Sequence, residues 1–307
     1  MPTETCSYCS AKAVYMREDE GASFCPACFQ DAVEERFRRT VIRHKMLEYN
    51  DHIAIALSGG KDSLTLLHLL VKLEERFPRS HLTAVCVDEG IEGYRNEALD
   101  LARAACTKLG VKQVVISYRE LFGTTIDEIA RLNMGQTPCA YCGVFRRKAI
   151  NTAADRVGAT KIATAHNLDD EVQTVLLNML HGDPLRIARS GPVLNDPRGK
   201  FLPRIKPLCD TPEKEIVLYA YLTGLQFQSV ACPHGHEALR NDIRGFLNQM
   251  EIKHPGTKFT LLRSAEKLRA QMGADTPLPD LRECIKCGDP TSHELCEACL
   301  MLEATTA

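Results

Sequence analysis

The sequence predicts an α/β protein built on a parallel sheet, with a small four-cysteine unit at each end. In the middle of the chain, short apolar segments alternate with helix-like segments of ten or more residues. The apolar segments are hydrophobic at consecutive positions, as strands are when helices cover both faces of a parallel sheet. The third observation is a pair of C-x-x-C motifs near each terminus, a spacing typical of small metal-binding units.

The composition limits the classes of protein to which the chain can belong. Its 307 residues are enough for two domains or for one large domain with additions, and 44% hydrophobic with 25% charged residues is typical of a soluble globular protein. No apolar run approaches the roughly eighteen residues of a membrane span, and the opening "MPTETCSYCS" lacks the basic start and apolar core of a signal peptide. We therefore expect a cytoplasmic protein that does not bind a membrane.

Hydrophobic periodicity places the elements along the chain. The predicted strands are 52–57, 82–87, 112–118 and 161–166, and the predicted helices are 31–49, 62–76, 94–109, 125–132, 143–157, 168–181, 212–224, 236–252 and 257–271. The Gly- and Pro-rich segment 181–212 is predicted to be a loop. The polar segments "SGGKDS", "DEG" and "HNLDDE" follow the first, second and fourth strands, at the sheet edge where such folds bind ligands.

The terminal cysteines predict two zinc ribbons. In a reducing compartment, paired cysteines indicate metal or redox sites rather than structural disulfides. Four thiolates at the spacings C-x2-C-x15-C-x2-C and C-x2-C-x8-C-x2-C close a tetrahedral Zn2+ site that leaves no vacancy, with rubredoxin-like iron as the minor alternative. The predicted zinc ligands are Cys6, Cys9, Cys25 and Cys28 in the first unit and Cys284, Cys287, Cys296 and Cys299 in the second.

The loop "SGGKDS" after the first strand predicts an anion site, although it is not a Walker loop. Ile55 stands where the first Walker glycine belongs, and Asp62 stands where Ser or Thr belongs. Gly59 and Gly60 allow backbone N–H groups to approach an anion, and the following helix adds its positive end. The remaining side chains of the loop that can contact an anion are those of Ser58, Lys61 and Ser63.

Residues 58–63 resemble the PP-loop of the N-type ATP pyrophosphatases. That family cleaves ATP between its α and β phosphates, adenylates a carbonyl oxygen and releases pyrophosphate. The resemblance implies that the loop grips the departing pyrophosphate and that Asp62 helps to hold Mg2+. The stretch 166–170 resembles the second signature of PP-loop enzymes that modify tRNA, in which the first aspartate, here Asp169, lies close to the nucleotide. The alternative is an N-cap followed by a solvated acidic turn.

Three central cysteines form a further candidate site. Cys139 and Cys142 stand ahead of the predicted helix 143–157, and Cys232 stands in a loop flanked by Pro and Gly. Three thiolates suit an iron–sulfur cluster with one iron free for an external sulfide, whereas a disulfide or persulfide relay between Cys142 and Cys232 would use the same residues. A redox dithiol or half a zinc site remains possible for the C-x-x-C pair alone. Of the other cysteines, Cys86 and Cys106 are predicted core residues and Cys209 is unassigned.

Together these motifs closely resemble the tRNA 2-thiouridine synthetases. The nearest group is that of the archaeal and eukaryotic cytoplasmic tRNA 2-thiolation proteins, with the thermophilic uridine-54 thiolases as relatives, and the resemblance covers almost the whole chain. It implies a tRNA sulfurtransferase in which ATP adenylates uridine O2 and a sulfur nucleophile then displaces AMP. The stretch "CGVFRR" (142–147) is nearer the wobble-uridine group, which implies modification at position 34, with position 54 as the alternative.

The resemblance also implies residue roles, cofactors and partners. Cys139, Cys142 and Cys232 would hold a [4Fe–4S] cluster and would be catalytic together with Asp169, and Arg146 falls where uridine-54 thiolases have a lysine facing the nucleotide. The implied sulfur donor is free sulfide or a ubiquitin-like carrier, and the implied assembly is a homodimer. The implied ATP-binding residues are Leu57, Ser58, Gly59, Gly60, Lys61, Asp62, Ser63, Val87, Arg146, His166 and Asp169.

The expected organisation combines these parts into a Rossmann-like PP-loop domain flanked by ribbons. The expected units are the N-terminal ribbon 1–30, a basic linker helix 31–49, the ATP-binding domain 50–235, a helical region 236–275 and the C-terminal ribbon 276–307. Basic clusters at 36–45, 146–148 and 198–206 make tRNA a plausible partner, with 36–45 and 198–206 expected to meet its phosphates. The target base must leave its stack to reach the pocket.

Two other functions compete with tRNA thiolation. The first is a different PP-loop enzyme that adenylates its substrate and then transfers nitrogen, but it leaves the three central cysteines unexplained. The second is a non-catalytic zinc-ribbon protein that binds tRNA, and it leaves the intact loop residues Ser58, Asp62 and Ser63 without a purpose.

Overall fold

A six-stranded sheet forms the centre of the protein in a computed structural model, which describes residues 4–77, 79–132, 135–235, 238–272 and 279–306. The spatial order of its strands is β5-β4-β3-β6-β8-β7. Five strands are parallel, and the edge strand β7 is antiparallel to β8. The strands are β3 (His52–Ala56), β4 (His81–Asp88), β5 (Lys112–Ser117), β6 (Lys161–Ala163), β7 (Val193–Leu194) and β8 (Arg204–Ile205).

Helices surround this sheet, and a two-stranded hairpin lies near each end of the chain. The helices are α1 (Pro26–Arg43), α2 (Lys61–Glu74), α3 (Arg95–Leu109), α4 (Tyr118–Phe122), α5 (Ile126–Leu132), α6 (Pro138–Arg156), α7 (Leu168–Leu180), α8 (Pro184–Ala188), α9 (Glu213–Leu222), α10 (Ala238–Lys253), α11 (Thr257–Met272) and α12 (Glu297–Thr306). The hairpins pair β1 (Tyr15–Arg17) with β2 (Ala22–Phe24) and β9 (Arg282–Glu283) with β10 (Pro290–Thr291). None of the described helices is both long enough and apolar enough to cross a bilayer.

The two faces of the sheet bury separate cores. Alternate residues of one strand point to opposite faces, so Cys86 packs with the core formed by α1, α2 and α9, while Val85 and Val87 pack with α6. The second core also contains cysteines of the C-terminal unit beside Tyr141 and Phe145 of α6. The chain leaves β3 toward β4 on one side, and β6 lies on the other side of β3, so the carboxyl ends of β3 and β6 form a topological switch point where a ligand crevice is expected.

The sheet confirms the predicted α/β class, but several element boundaries were wrong. The first long helix begins at Pro26, not at residue 31, because Cys25 caps it and proline suits its first turn. The helix predicted over 143–157 begins at Pro138 for the same reason, so Cys139 and Cys142 lie on it rather than ahead of it. The predicted loop 181–212 contains α8, β7 and β8. Residues 236 and 237, the predicted start of another helix, lie outside the described residues.

A buried carboxylate fastens the N-terminal hairpin to the rest of the fold. Glu215 of α9 accepts hydrogen bonds from Arg17 Nε at 2.9 Å, from Arg17 Nη2 at 2.9 Å and from Arg36 Nη1 at 2.9 Å. The side chains of Arg17 and Glu215 are only 6% and 2% exposed, so neither charge has water as an alternative partner. Removing one member therefore strands the other charge in the interior.

Glu215→Ala is expected to lower the free energy of unfolding by about 3 kcal/mol, because it leaves the buried Arg17 guanidinium with the partly exposed Glu20, at 3.3 Å, as its acidic partner. The matched control is Glu35→Ala, which removes an exposed carboxylate paired with Arg38 and Arg39 and should cost about 1 kcal/mol or less. Urea denaturation measures both values. Equal losses in the two variants would contradict the assigned role of Glu215.

Candidate active site: the loop cleft and the central cysteines

The loop after β3 has a backbone that only glycine can adopt at one position. Gly59 has φ +87°, and a Cβ built there would lie 2.3 Å from the carbonyl oxygen of Ala98 in α3. Any other side chain would therefore force the loop away from α3. Gly60 follows as the N-cap of α2, which has fourteen residues, so the loop ends at a helix N-terminus that favours an anion.

Hydrogen bonds between the two loop serines hold this turn in shape. The Ser63 hydroxyl donates to the Gly60 carbonyl at 3.0 Å and accepts the Ser58 N–H at 3.1 Å. The Ser58 hydroxyl lies 3.0 Å from the Ser63 hydroxyl and accepts the Gly60 N–H at 3.3 Å. The serines of the motif thus shape the loop as well as offering hydroxyl groups to a ligand.

Polar contacts join the loop to the second predicted motif. Asp62 Oδ1 accepts a hydrogen bond from Asn167 Nδ2 at 3.0 Å, and Asn167 is the N-cap of α7. The Lys61 ammonium pairs with Asp62 at 2.8 Å and with Glu213 at 2.8 Å. Two motifs that are about a hundred residues apart in the sequence therefore form one site at the switch point, as the strand ends predicted.

A cleft opens between these motifs, and seven of the predicted ATP-binding residues line it. Four further polar residues on its wall were not singled out by the sequence: Glu89, Arg95, Thr164 and Arg240. Only the strand-end position of Glu89, within "DEG", was a usable signal, because the arginines come from helices. The seven predicted residues are Leu57, Ser58, Asp62, Ser63, Val87, Arg146 and His166, whereas Gly59, Gly60 and Lys61 belong to the loop but not to the wall.

Of the two aspartates that open α7, the structure places the second on the cleft, which corrects the interpretation of Asp169. Asp169 is only 5% exposed and points away from the cleft, where it accepts the Glu213 N–H at 2.8 Å and pairs with the Lys258 ammonium. Asp170 lines the cleft and closes a capping box with Asn167. The helix turns by about 100° between the two residues, and here that turn directs Asp170 to the cleft and Asp169 to Lys258 and the Glu213 N–H.

The electrostatics at Asp170 favour a cation. Burial raises the pKa of Asp170, and the negative charge of Asp62 raises it further, while the Asn167 N–H and Arg240 oppose the shift. Two carboxylates that face one phosphate-binding loop repel each other. A divalent cation between them would relieve that repulsion, and carboxylates are its preferred ligands.

A buried ion-pair chain runs from the loop to the central cysteines. Arg95 Nε lies 2.8 Å from Glu89 Oε2, and the Arg95 side chain donates to the carbonyl oxygens of Ser58 and Val87, both at 2.6 Å. On the other side, Arg146 Nε donates to Glu89 Oε1 at 3.0 Å, and Arg146 Nη2 donates to Cys142 Sγ at 3.0 Å. The sequence identified Arg146 but neither Glu89 nor Arg95 as members of this site.

The structure brings the segment around Cys232 to the helix that carries the other two central cysteines. The Cys139 thiol donates to the His234 carbonyl at 3.0 Å, and His234 Nε2 lies 2.7 Å from Asp127. Burial raises the pKa of Cys142, the Arg146 charge opposes this, and the nearby Cys232 adds to the rise. Among the described residues, the three sulfurs do not meet the 4.8 Å mutual spacing that ligands of one metal ion share, so this donor set is wider than a single-ion site.

Each terminal four-cysteine unit could hold one metal ion. Within each unit all four sulfurs lie within 4.8 Å of one another. Burial alone would raise the pKa of Cys6 and Cys284, but hydrogen bonds from backbone N–H groups outweigh it and lower each pKa to about 6. These thiols are therefore ready to bind a cation as thiolates.

Cys209, which the sequence left unassigned, lies in a third cluster with His44 and Asp210. A cation already occupies this place, because Arg43 Nη2 lies 2.9 Å from His44 Nε2 and donates to Asp210 at 3.1 Å. Cys209 itself is buried in the core beside α9.

The basic helix predicted to meet tRNA phosphates has its charges largely satisfied within the protein. Arg38 and Arg39 pair with Glu35, and Arg43 pairs with Asp210 and Glu266. Arg36 pairs with Glu20 and Glu215. The sequence could not reveal this because four of the five acidic partners lie outside α1. The prediction that residues 36–45 contact tRNA assumed basic side chains without acidic partners. The arginines of this segment instead form ion pairs within the protein.

Comparison with known proteins agrees with this geometry. Residues 30–251 match the family model of the PP-loop domain, which defines the class as PP-loop ATP-binding proteins. The cytoplasmic tRNA 2-thiolation protein 1 of Chlamydomonas reinhardtii is 38% identical over 305 residues, which cover 99% of this chain and 85% of the relative. The tRNA 2-thiolation protein NcsA of Haloferax volcanii is 37% identical, with 98% of this chain and 99% of the relative covered. The chain belongs to the family of tRNA 2-thiolation proteins.

A solved structure resembles the whole chain. The U34-tRNA thiolase NcsA from Methanococcus maripaludis, solved with its [4Fe-4S] cluster, is 33% identical to this chain and superposes with a TM-score of 0.85. The superposition covers 98% of this chain and 96% of that protein. The similarity therefore includes both terminal units as well as the central sheet.

The two aspartates of α7 are expected to separate nucleotide affinity from stability. Asp170→Asn keeps a capping oxygen but removes charge from the cleft, so we expect ATP affinity in the presence of Mg2+ to weaken about 10-fold or more. Asp169→Asn should leave that affinity unchanged and lower the free energy of unfolding by about 2 kcal/mol, because the buried Lys258 loses its charged partner. Isothermal titration and urea denaturation measure the two effects, and the reversed pattern would restore Asp169 to the nucleotide site.

Proposed function

We propose that this member of the tRNA 2-thiolation family converts uridine 34 of tRNA to 2-thiouridine. ATP adenylates the uridine O2, and a sulfur nucleophile then replaces AMP at C2. The observation that carries the proposal is the ion-pair chain through Glu89, which joins the loop that grips a departing pyrophosphate to a thiol of the central cysteines. One site thus contains the groups needed for both steps.

Adenylation comes first because the C2 carbonyl of uracil, flanked by two nitrogens, resists attack. The uridine O2 attacks the α-phosphorus of ATP, the bond to the bridging oxygen breaks, and pyrophosphate leaves toward the backbone N–H groups of the loop. Asp62 and Asp170 would hold the Mg2+ that neutralises charge on the departing oxygens. Asp170 is chosen beside Asp62 because it lines the cleft, whereas the resemblance implied Asp169 as the aspartate close to the nucleotide.

Sulfur transfer comes second and needs no oxidant. A sulfide nucleophile attacks C2 with its electron pair, and the C2–O2 bond breaks so that the oxygen leaves with AMP. The sum is uridine, ATP and hydrosulfide giving 2-thiouridine, AMP and pyrophosphate. The half-buried cleft limits the competition from water for the activated carbon.

Cys139, Cys142 and Cys232 would hold a [4Fe–4S] cluster. Their donor set fits such a group, because it supplies three thiols, two from α6 and one from a loop that contacts α6 through the hydrogen bond from Cys139 to the His234 carbonyl. When bound, the cluster supplies an iron with an open position for sulfide. Arg146 orients Cys142 through its 3.0 Å hydrogen bond, and the Tyr118 hydroxyl lies 3.6 Å from the same sulfur. Hydrogen bonds to a sulfur that binds iron would alter the reduction potential of the cluster.

Each terminal unit would hold one structural Zn2+, because four thiolates at tetrahedral spacing leave no position for a substrate. Lys148 of α6 lies 3.1 Å from Cys287 Sγ and also pairs with Asp289. The C-terminal unit thereby supports the helix that carries the central cysteines.

The proposed partners and location follow from the family. The protein would work in the cytoplasm as a homodimer, with tRNA as substrate and free sulfide or a ubiquitin-like carrier as the sulfur donor. The carrier and the dimer are proposals that rest on the resemblance alone.

The reaction is tested directly by incubating anaerobically reconstituted protein with unmodified tRNA, ATP, Mg2+ and sulfide. We expect 2-thiouridine in the digested tRNA, and we expect mass spectrometry to place it in the anticodon fragment that contains position 34. Cys232→Ala should abolish the product and lower the iron content, since a ligand of the cluster is lost. Cys209→Ala, the control, should keep both because Cys209 lies in the core away from the cleft.

The outcomes separate the parts of this proposal. A thiolated fragment containing position 54 would overturn the choice of position, and iron without any thiolated product would overturn the reaction. Full thiolation by Cys232→Ala would remove the third cysteine from the chemistry.

A further inference from the structure

Two arginines beside the cleft have no acidic partner. Arg147 of α6 and Arg204 of β8 come from two basic clusters that are about fifty residues apart in the sequence. Arg204 Nη2 donates to the Arg147 carbonyl oxygen at 3.4 Å and to Asn151 Oδ1 at 2.6 Å. Arg147 Nε donates to the Gly143 carbonyl at 3.1 Å. Within the described part of the chain, neither guanidinium has a carboxylate at ion-pair distance.

This pair differs from the other basic surfaces of the protein. On α1 the arginines are neutralised by Glu35 and by acidic residues of other elements. Burial lowers the pKa of Arg204, and the adjacent positive charge of Arg147 lowers it further. Arg147 is exposed and Arg204 is half-buried, and only neutral oxygens meet the two neighbouring cations. An anion from outside would relieve the repulsion.

Arg204 contacts the helix that forms one wall of the candidate active site. Arg146 and Ile150 of α6 line the cleft, and Asn151, which accepts a hydrogen bond from Arg204, follows Ile150 on the helix. His166 lies on the cleft wall, and the protein packed around its ring lowers its pKa. The positive charges of Lys206, Arg240 and Arg204 lower that pKa further. Arg204 is therefore close enough to the cleft for its charge to act there.

We propose that Arg147 and Arg204 form a phosphate seat, which binds one backbone phosphate of the tRNA next to the uridine that enters the cleft. The guanidinium fork matches phosphate oxygens in a bidentate geometry, and two forks on one phosphate fix its position as well as its charge. A nucleotide that has left its stack must bring its backbone to the cleft, and Arg204 contacts α6 one residue after Ile150 of the cleft wall. The assignment rests on the proposed function for the identity of the RNA, but not for the binding of phosphate.

An acidic protein is the other polyanion that could meet these arginines, and the position of the pair argues against it. A sulfur carrier has to deliver its terminus toward the central cysteines, whereas Arg204 belongs to β8 of the sheet and contacts α6 at Arg147 and Asn151, which lie eight and twelve residues after Cys139. An RNA backbone follows the nucleotide into the cleft and passes this point.

The salt dependence of tRNA binding tests the phosphate seat. We would measure Kd for an unmodified tRNA transcript by fluorescence anisotropy between 50 and 300 mM KCl. Over this range salt increasingly screens the attraction between exposed charges. Each lost phosphate contact reduces the slope of log Kd against log salt by about 0.7–0.9. We expect the Arg147→Gln/Arg204→Gln double variant, which leaves the phosphate without a cation, to reduce the slope by about 0.7–0.9, and each single variant to reduce it by less and to weaken binding severalfold at 100 mM salt. Arg204→Lys should keep the slope, because it keeps the charge.

The controls are Arg38→Gln and Arg39→Gln, which remove the same charge from two arginines that share the Glu35 carboxylate. We expect their slopes to equal that of the unaltered protein. ATP affinity and thermal unfolding are measured on every variant and show whether Arg204→Gln still folds. Arg147→Gln tests the same proposal with less risk to folding, because the Arg147 side chain donates its hydrogen bond to a carbonyl of its own helix.

Two results would overturn the phosphate seat. The first is an unchanged slope in Arg147→Gln and in folded Arg204→Gln, or an equal loss in the α1 controls. The second is an unchanged slope together with thiolation that falls only when a protein carrier supplies the sulfur, which would assign the surface to the carrier. A reduced slope with no 2-thiouridine at position 34 would leave the phosphate seat intact and reject the proposed target.

Discussion

The geometry of the candidate active site depends on one buried carboxylate, Glu89. Arg95 pairs with it and at the same time holds the Ser58 and Val87 carbonyls, so the ends of β3 and β4 are tied to a single point. Arg146 pairs with the same carboxylate from α6. Removing one member of such a buried group costs about 3–5 kcal/mol, which is large beside the total stability of a domain. The relative position of loop and cysteines is therefore fixed by charge as well as by packing.

The helix α6 is the element that joins the remaining parts. Cys139, Cys142 and Arg146 stand three and four residues apart and share one face. Phe145 and Ala149 bury the helix against the sheet, and Lys148 contacts the C-terminal cysteine unit. A disturbance of that unit would thus reach the central cysteines through a single rigid helix, although the unit itself has no open metal position.

Much of the site could be predicted because its signals are local in the sequence. The turn "SGGKDS" requires glycine at position 59, and the apolar strands place the motif ends at one edge of the sheet. The errors have physical causes. Asp169 and Asp170 look alike in a sequence, and only the rotation of α7 against α11 decides which one meets Lys258. The strands β7 and β8 contain two residues each, too few to show a period.

The same limit applies to charge. The cluster in α1 is the densest basic segment of the sequence, but its partners Asp210, Glu215 and Glu266 arrive from α9, α11 and the segment before α9. Arg147 and Arg204 are less conspicuous in the sequence, and the pairing of α6 with β8 unites them. Net charge and clustering therefore identified a polyanion as a partner but could not show which basic side chains are already paired within the protein.

The most direct test of this account is Glu89→Gln, measured for ATP affinity and for the rate of 2-thiouridine formation on the same preparation. Arg95 keeps its two backbone contacts in this variant, whereas Arg146, whose side chain is 50% exposed, loses the partner that holds it beside Cys142. The account predicts ATP affinity within about threefold of the unaltered protein and a thiolation rate lower by about 10- to 100-fold. Thiolation that is unchanged, or that falls only in proportion to ATP affinity, would contradict it.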